Sequence, residues 1–215
     1  MFGTPPKKTR KASDLSEIAK VLIDFIYDKK DGCGIVPANI IHESKEDVSS
    51  RSEKDLEADT KTLDIARKEL EKKFDSLSKE NKLNIDLIIE MTNTKTLEIK
   101  QGNCHELSYL FFDLAKQYFP TTSLELMFAE EHMFIVINRK LDSNENDPTS
   151  WGDNCIIADP WKKMVMDTIT FQKHRVGKGG DPDYTLAVSS DINRLHGEYP
   201  DLQSTHRSMR GKKTI

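Results

Sequence analysis

The sequence lacks any run of about 18 apolar residues, the length that a transmembrane helix needs. Its first residues, MFGTPPKKTRK, are basic, but no apolar stretch follows them, so no secretory signal peptide is predicted. Hydrophobic residues make up only 36% of the 215 residues, while charged residues make up 32%. We therefore expect a cytoplasmic chain that inserts into no membrane and carries many charged side chains on solvated surfaces.

Cysteine is scarce, and the three cysteines show no CxxC spacing. Their odd number and their spacing predict neither a disulfide framework nor a four-ligand zinc site. A surplus of positive charge is also missing, since 36 acidic and 32 basic residues leave a net charge of -4. Such a balance argues against a dedicated nucleic-acid-binding protein. The glycine-rich stretch 177–183 lacks the Lys-Ser/Thr of a phosphate-binding loop, so it is predicted to be a turn, and no cofactor is expected.

The N-terminal half is predicted to be helical. Residues 1–12 are basic and nearly devoid of apolar side chains, which predicts a disordered arm. Apolar residues at helical spacing predict an amphipathic helix at about 14–29 and a long, highly charged surface helix within 50–80. A shorter helix is predicted at 83–92. We assign these helices to an N-terminal part, residues 13–99, of a single domain.

The second half changes character. Apolar periodicity predicts a helix that begins at Cys104 and ends before Pro120. Strand-like runs follow at residues 123–129, 132–139, 155–159, 164–171 and 184–188. The polar stretch 141–154 is predicted to be a surface excursion between neighbouring strands. Residues 100–205 are thus expected to form the core that carries the chemistry, and 206–215 a frayed tail.

Cys104 lies where the predicted helix begins, directly after Gly102 and Asn103. The N–H groups at a helix N-terminus favour an anion, so they lower the pKa of a thiol and raise its thiolate fraction. The same groups can bind the oxyanion that forms when a thiolate attacks a carbonyl. The predicted oxyanion site is the backbone N–H of Cys104, with Gln101 and Asn103 beside it.

Two further residues complete a candidate nucleophilic site. His132 begins an apolar strand, where an imidazole packed against the Cys104 helix can exchange protons with the sulfur. Asp159 ends a later strand, which Pro160 terminates, and its carboxylate can hold the imidazole in one tautomer. We therefore predict a catalytic triad of Cys104, His132 and Asp159.

Several neighbouring residues leave alternatives open. His105 is a rival base, but adjacent helix positions point about 100° apart, so it is predicted to face solvent or to cap the helix. Trp161 is expected either to line a substrate cleft or to pack as an ordinary core residue. Cys155 is predicted to lie in the core, and Cys33 to be an inert thiol in an exposed loop. The triad residues lack short ligand spacing, so no metal is predicted.

In this order, the motifs resemble the transglutaminase-like and papain-like cysteine enzymes. In the transglutaminase-like core a Gly-x-Cys opens a helix, a His begins a following strand with an aromatic residue close behind, and an Asp-Pro ends the strand after that. Here the corresponding residues are Gly102-Asn103-Cys104, His132-Met133-Phe134 and Asp159-Pro160. The resemblance covers about residues 100–165. The interval from His to Asp is longer than in the family, and a phenylalanine replaces the usual tryptophan after the His.

The resemblance implies an α+β fold in which a Cys-bearing helix packs on an antiparallel β-sheet, with additional N-terminal helices. It implies thioester chemistry on a protein substrate, by glutamine deamidation or proteolysis rather than by transglutamination. It extends to bacterial effectors that reach a host protein by a secretion route without a signal peptide. The alternative is a non-enzymatic interaction module, in which the charged helix within 50–80 binds a partner and Cys104 is structural.

Overall fold

The computed structural model describes residues 15–39, 52–119, 122–129, 132–175 and 184–190. The helices of this part are α1 Leu15–Tyr27, α2 Glu53–Lys79, α3 Ile85–Ile99, α4 Cys104–Tyr118 and α5 Thr168–Arg175. The strands are β1 Val36–Pro37, β2 Gln101–Gly102, β3 Leu124–Ala129, β4 His132–Ile137, β5 Ile156–Asp159, β6 Met164–Asp167 and β7 Tyr184–Ser189. The predicted α+β class is confirmed. The predicted arm 1–12, turn 177–183 and tail 206–215 lie outside the described residues.

The longer strands form one antiparallel sheet with the order β6-β5-β4-β3-β7. In the centre of this sheet, Ala129 of β3 pairs with His132 of β4, and Ile135 of β4 pairs with Ala158 of β5. The short strands β1 and β2 pair separately and in parallel. This pairing places the start of β4 and the end of β5 at the same edge of the sheet. None of the helices in the described ranges is long and apolar enough to span a bilayer.

Helices cover one face of the sheet. Side chains alternate between the two faces of a strand, and Met133, Ile135 and Ile137 of β4 point towards the helices. They join a core formed with α1, α3 and α4, in which Leu110 and Phe111 of α4 are fully buried. Helix α4 is therefore held against the central strand of the sheet by apolar burial on the order of 1.5–3 kcal/mol for each large side chain.

An aromatic cluster covers the opposite face. Phe134 of β4 packs on Phe171 of α5 at 5.2 Å between ring centroids, and Tyr184 of β7 lies 5.5 Å from Trp151. Trp151 is fully buried, and its Nε1 donates to the carbonyl oxygen of Asn144 at 2.9 Å. The polar excursion 141–154 therefore does not lie entirely on the surface as predicted. Its one tryptophan anchors it into a second core.

Two predicted elements have different bounds in the structure. In one a carboxylate starts a helix, and in the other polar side chains are buried. Residues 164–171 form a strand only as far as Asp167, whose carboxylate accepts from the backbone N–H of Thr170 at 2.6 Å and so favours the start of α5. Helix α3 continues well beyond residue 92 to Ile99. Its Thr92, Asn93 and Thr96 are buried, so these polar residues do not mark a solvated connection.

The second core can be tested with Trp151→Ala. Removing a fully buried tryptophan leaves a cavity and should lower the free energy of unfolding by about 3–5 kcal/mol. Urea denaturation followed by circular dichroism measures this loss. Leu141→Ala is the matched control in the same excursion, because the Leu141 side chain is 59% exposed and its removal should change stability by less than about 0.5 kcal/mol. Equal effects of the two substitutions would contradict the assignment of Trp151 as an anchor.

Candidate active site

Cys104 is the first residue of α4 and is only partly buried. The residue two before it, Gly102, lies in β2 and packs directly on the first turn of the helix. A Cβ atom at Gly102 would lie 2.9 Å from the Cβ of Glu106, so a larger residue would force β2 away from α4. Gly102 therefore permits the close approach of β2 and α4 that places the thiol at the N-terminus of the helix.

His132 and Asp159 meet because of the sheet register. Ile135 pairs with Ala158, so one step further along the same register Asp159 lies opposite Phe134. His132 is two residues from Phe134, and it is therefore the diagonal neighbour of Asp159 on the same face. His132 Nε2 lies 2.6 Å from Asp159 Oδ2, and their side chains are 18% and 7% exposed. The other carboxylate oxygen accepts from the backbone N–H of Lys162 at 3.1 Å.

Two imidazole rings contact the Cys104 sulfur. Cys104 Sγ lies 3.4 Å from His105 Nδ1 and also shares a side-chain hydrogen bond with His132. Because His132 Nε2 is hydrogen-bonded to Asp159, the other ring nitrogen, Nδ1, is the one available for a hydrogen bond with the sulfur. The structure thus brings Cys104, His132 and Asp159 into one connected chain. A sulfur, an imidazole and a carboxylate in this order can activate a thiol as a nucleophile.

The pKa values of the sulfur and the imidazole are shifted in opposite directions. Burial alone would raise the pKa of the Cys104 thiol, but hydrogen bonds and positive charge from His105 and His132 lower it to about 6. Burial alone would lower the pKa of His132, but the hydrogen bond and charge of Asp159, together with the thiolate, raise it to about 9. At pH values between these two pKa values, Cys104 is therefore a thiolate and His132 an imidazolium.

The position of His105 differs from its prediction. The sequence predicts that this ring faces solvent or caps the helix, whereas in the structure the residue is half-buried and its ring contacts the Cys104 sulfur. The imidazole of His105 packs against the ring of Phe128 in β3, with 5.2 Å between centroids and an interplanar angle of 50°. This contact directs the His105 ring over the N-terminus of α4 and towards the sulfur, although Cys104 and His105 are adjacent on the helix.

The two other residues predicted at the oxyanion site are engaged elsewhere. Gln101 Nε2 donates to Asp59 Oδ1 on α2, and the backbone N–H of Asn103 donates to Glu106 Oε2 at 2.9 Å. The side-chain oxygen of Gln101 is buried and accepts no hydrogen bond from the described residues. Asp59 therefore takes one N–H of the amide that the sequence assigned to the oxyanion.

Sequence reasoning missed an ion pair beneath the thiol. Arg67 of α2 donates through Nε and Nη2 to the two carboxylate oxygens of Glu106, at 2.7 and 2.9 Å. Burial alone would raise the pKa of Glu106, but the charge and hydrogen bonds of Arg67 lower it to about 2. An Asn103-x-x-Glu106 spacing is a helix-start signal, so the Glu106 position was detectable. The sequence contains no local signal for Arg67, which lies 39 residues away.

Three side chains brace the remaining members of the site. The Trp161 ring lies 5.4 Å from the His132 ring, and its Nε1 donates to Asn39 Oδ1 at 3.1 Å. Tyr27 of α1 donates from its hydroxyl to the carbonyl oxygen of Pro160 at 2.7 Å, directly after Asp159. Ser108 of α4 donates to the carbonyl oxygen of Met133 at 3.1 Å. The last contact fixes the Cys104 helix next to the His132 strand.

The other two cysteines are buried thiols. Cys155 is 2% exposed, which confirms its predicted place in the core. Cys33 is 5% exposed, so its predicted loop exposure is wrong, and burial raises its pKa despite the nearby charge of Lys100. Within the described ranges, no group of three or more His, Cys, Asp or Glu side chains is arranged to hold a metal ion. Cys104 is thus the cysteine with both access and activating neighbours.

Comparisons with known proteins found no relative. The chain matches no family model, no curated protein and no solved structure. The resemblance to transglutaminase-like enzymes therefore rests on the order of motifs within about residues 100–165. The roles of the site residues have to be argued from their geometry.

The state of the sulfur predicts how fast it reacts with iodoacetamide. The rate constant for alkylation of Cys104 should rise with pH through an apparent pKa of about 6, because the thiolate is the reactive form. His132→Ala removes an imidazolium and should move this pKa upwards, towards the ordinary value of 9.0. Cys104→Ala is the control for the buried Cys33 and Cys155. A pH profile that does not change in His132→Ala would contradict the coupling of ring and sulfur.

The buried ion pair predicts an acid-dependent loss of stability. The pKa of Glu106 is about 2 in the folded chain, below its ordinary 4.5, so its charge stabilises the fold above about pH 4.5 and this contribution is lost as the pH falls towards 2. Glu106→Gln should lower the free energy of unfolding at neutral pH by roughly 3 kcal/mol, and by less at low pH. Urea denaturation at several pH values measures the difference.

The matched control for this experiment is Glu69→Gln. Glu69 forms an ion pair with Lys95 at 2.9 Å, but the Glu69 side chain is 54% exposed. Solvent screens such a pair, so its loss should change stability little. A Glu106→Gln effect as small as that of Glu69→Gln would show that the buried pair does not hold the start of α4.

Proposed function

We propose that this chain is a cysteine enzyme that transfers an acyl group from a protein substrate through a thioester on Cys104. The observation that carries the proposal is the connected chain of Cys104 Sγ, the His132 ring and the Asp159 carboxylate, with 2.6 Å between His132 Nε2 and Asp159 Oδ2. A structural cysteine needs no such partners. A thiol with a lowered pKa beside an oriented imidazole matches what nucleophilic catalysis requires.

Each residue has a distinct role in this proposal. The Cys104 thiolate attacks the carbonyl carbon of an amide, and the oxygen takes up the negative charge. The His132 imidazolium gives its proton to the departing amine or ammonia as the C–N bond breaks, which leaves a thioester. Water then attacks the thioester while neutral His132 accepts a proton, and the thiolate leaves. Asp159 holds the ring in the tautomer that serves both steps and stabilises the imidazolium.

The architecture of the site supports a papain-like or transglutaminase-like core. The Cys104 helix packs on the strand that His132 begins, and the hydrogen bond from Ser108 to Met133 joins the two elements. The neighbouring strand ends in Asp159, in the motif order of those enzymes. Helices α1, α2 and α3 are additions to that core, and residues of α1 and α2 brace its catalytic edge.

Glutamine deamidation and peptide-bond cleavage are the two reactions that we propose first, ahead of transglutamination. They share every step up to the thioester, and they differ in whether ammonia or a peptide amine leaves. By analogy with effector proteins that carry such triads, we propose a cytoplasmic site of action with a host protein as the substrate. Trp161, which covers one side of His132, is the proposed wall of the substrate cleft.

A proteome-wide comparison tests the reaction. A eukaryotic cell lysate is incubated under reducing conditions with the wild type, with Cys104→Ala and with His132→Ala, and its peptides are compared by mass spectrometry. The wild type alone should convert specific glutamines to glutamate or create specific new N-termini. Asp159→Asn should retain a reduced rate, because the thiol remains but the imidazole loses its orienting carboxylate. Identical peptide sets from the wild type and Cys104→Ala would contradict the proposal.

A further inference from the structure

His105 contacts the reactive sulfur but has no role in the triad. Its Nδ1 lies 3.4 Å from Cys104 Sγ, and its ring is held by Phe128. Of the two rings on the sulfur, His132 is the one hydrogen-bonded to a carboxylate among the described residues. A general base that must cycle between two protonation states benefits from such an orienting partner. The structure therefore favours a role for His105 other than proton shuttling.

The proposed reaction also needs an oxyanion donor that acts together with the backbone N–H of Cys104, the donor that the sequence predicts. Enzymes that form a tetrahedral intermediate place preorganised N–H donors where the oxyanion develops. The amide of Gln101 donates to Asp59, and the backbone N–H of Asn103 donates to Glu106. Both of these groups thus already donate to carboxylates of the chain. On the C-terminal side of Cys104, the next residue is His105.

The movement of charge during attack connects these two observations. In the free site the negative charge lies on the sulfur, and His105 Nδ1 is within hydrogen-bond distance of it. When the sulfur lone pair forms the S–C bond, the π electrons of the carbonyl move to its oxygen. That oxygen is bonded to the same carbon as the sulfur. A donor already at the sulfur is therefore within reach of the new charge without a change of backbone.

We propose that His105 is a further catalytic residue, which donates Nδ1–H to the oxyanion of the tetrahedral intermediate. This inference rests on the proposed acyl transfer by Cys104. His105 donates to the thiolate before attack and to the oxygen after it, and it keeps its proton throughout. When the intermediate collapses, a lone pair on the oxygen reforms the C=O bond, the leaving group departs with the electron pair of the bond that joined it to the carbon, and the thioester remains.

Two probes separate this role from a simple effect on the thiol. 4-Nitrophenyl acetate acylates a thiolate through an oxyanion, and 4-nitrophenolate leaves without needing a proton from His132. Iodoacetamide alkylates the same thiolate by direct displacement at carbon, with no oxyanion. Rates for both are measured across pH and divided by the thiolate fraction obtained from the iodoacetamide profile. The comparison therefore cancels any change in the pKa of Cys104.

Matched substitutions then isolate the Nδ1 donor. His105→Leu removes it, while His105→Asn keeps an amide N–H close to the same position. For each thiolate, His105→Leu should acylate about 100-fold more slowly than the wild type, as expected for the loss of one oxyanion donor. His105→Asn should recover most of that rate. Alkylation by iodoacetamide, for each thiolate, should be equal in all three proteins.

Three results would overturn the inference. Equal falls in acylation and alkylation would limit His105 to stabilising the thiolate, and no fall in either would give it no role. Acylation in His105→Asn as slow as in His105→Leu would assign the effect to ring packing. If His105→Leu does not fold, Phe128→Leu replaces it, because this substitution keeps the imidazole but removes its ring partner. The acylation rate of Phe128→Leu, for each thiolate, should then lie below that of the wild type. Wild-type acylation no faster than that of Cys104→Ala would instead refute the proposed function itself.

Discussion

The buried carboxylate of Glu106 holds the candidate site together. It accepts from the backbone of Asn103 and from the guanidinium of Arg67, and so joins the start of α4 to α2. A carboxylate two residues from Cys104 would ordinarily disfavour the thiolate form of that residue by like-charge repulsion. Arg67 neutralises that charge, and the end of α4 stays favourable to an anion. The geometry and the electrostatics of Cys104 therefore depend on the same pair.

This pair also changes the meaning of the charged helix α2. Its composition suggests either a solvated surface helix or a docking surface for a partner. Its inner face instead carries Asp59 and Arg67, which contact Gln101 and Glu106 on either side of the thiol. The apolar residues Leu63 and Phe74 are buried along the same helix. Part of the unusual charge of this sequence thus serves the interior, and the helix acts as a support for the site.

The residues whose positions could be predicted from the sequence are those at the ends of periodic elements. Cys104, His132 and Asp159 each begin or end a helix or strand whose apolar spacing is clear, so their meeting followed from the sheet order. Arg67 and His105 could not be located in this way. The contact of Arg67 joins elements far apart in the chain, and the direction of the His105 ring depends on Phe128 in strand β3. Local periodicity contains neither kind of information.

The hydrogen bond from Tyr27 to Pro160 makes the candidate site depend on helix α1. It spans 133 positions and links α1 to the residue that directly follows Asp159. A fragment starting near residue 100 would keep all three triad residues and lose this strut, together with Arg67 and Asn39. Such a fragment would retain the motif without the residues that hold it in place. Residues 100–165 therefore lack several of the contacts that position Cys104, His132 and Asp159.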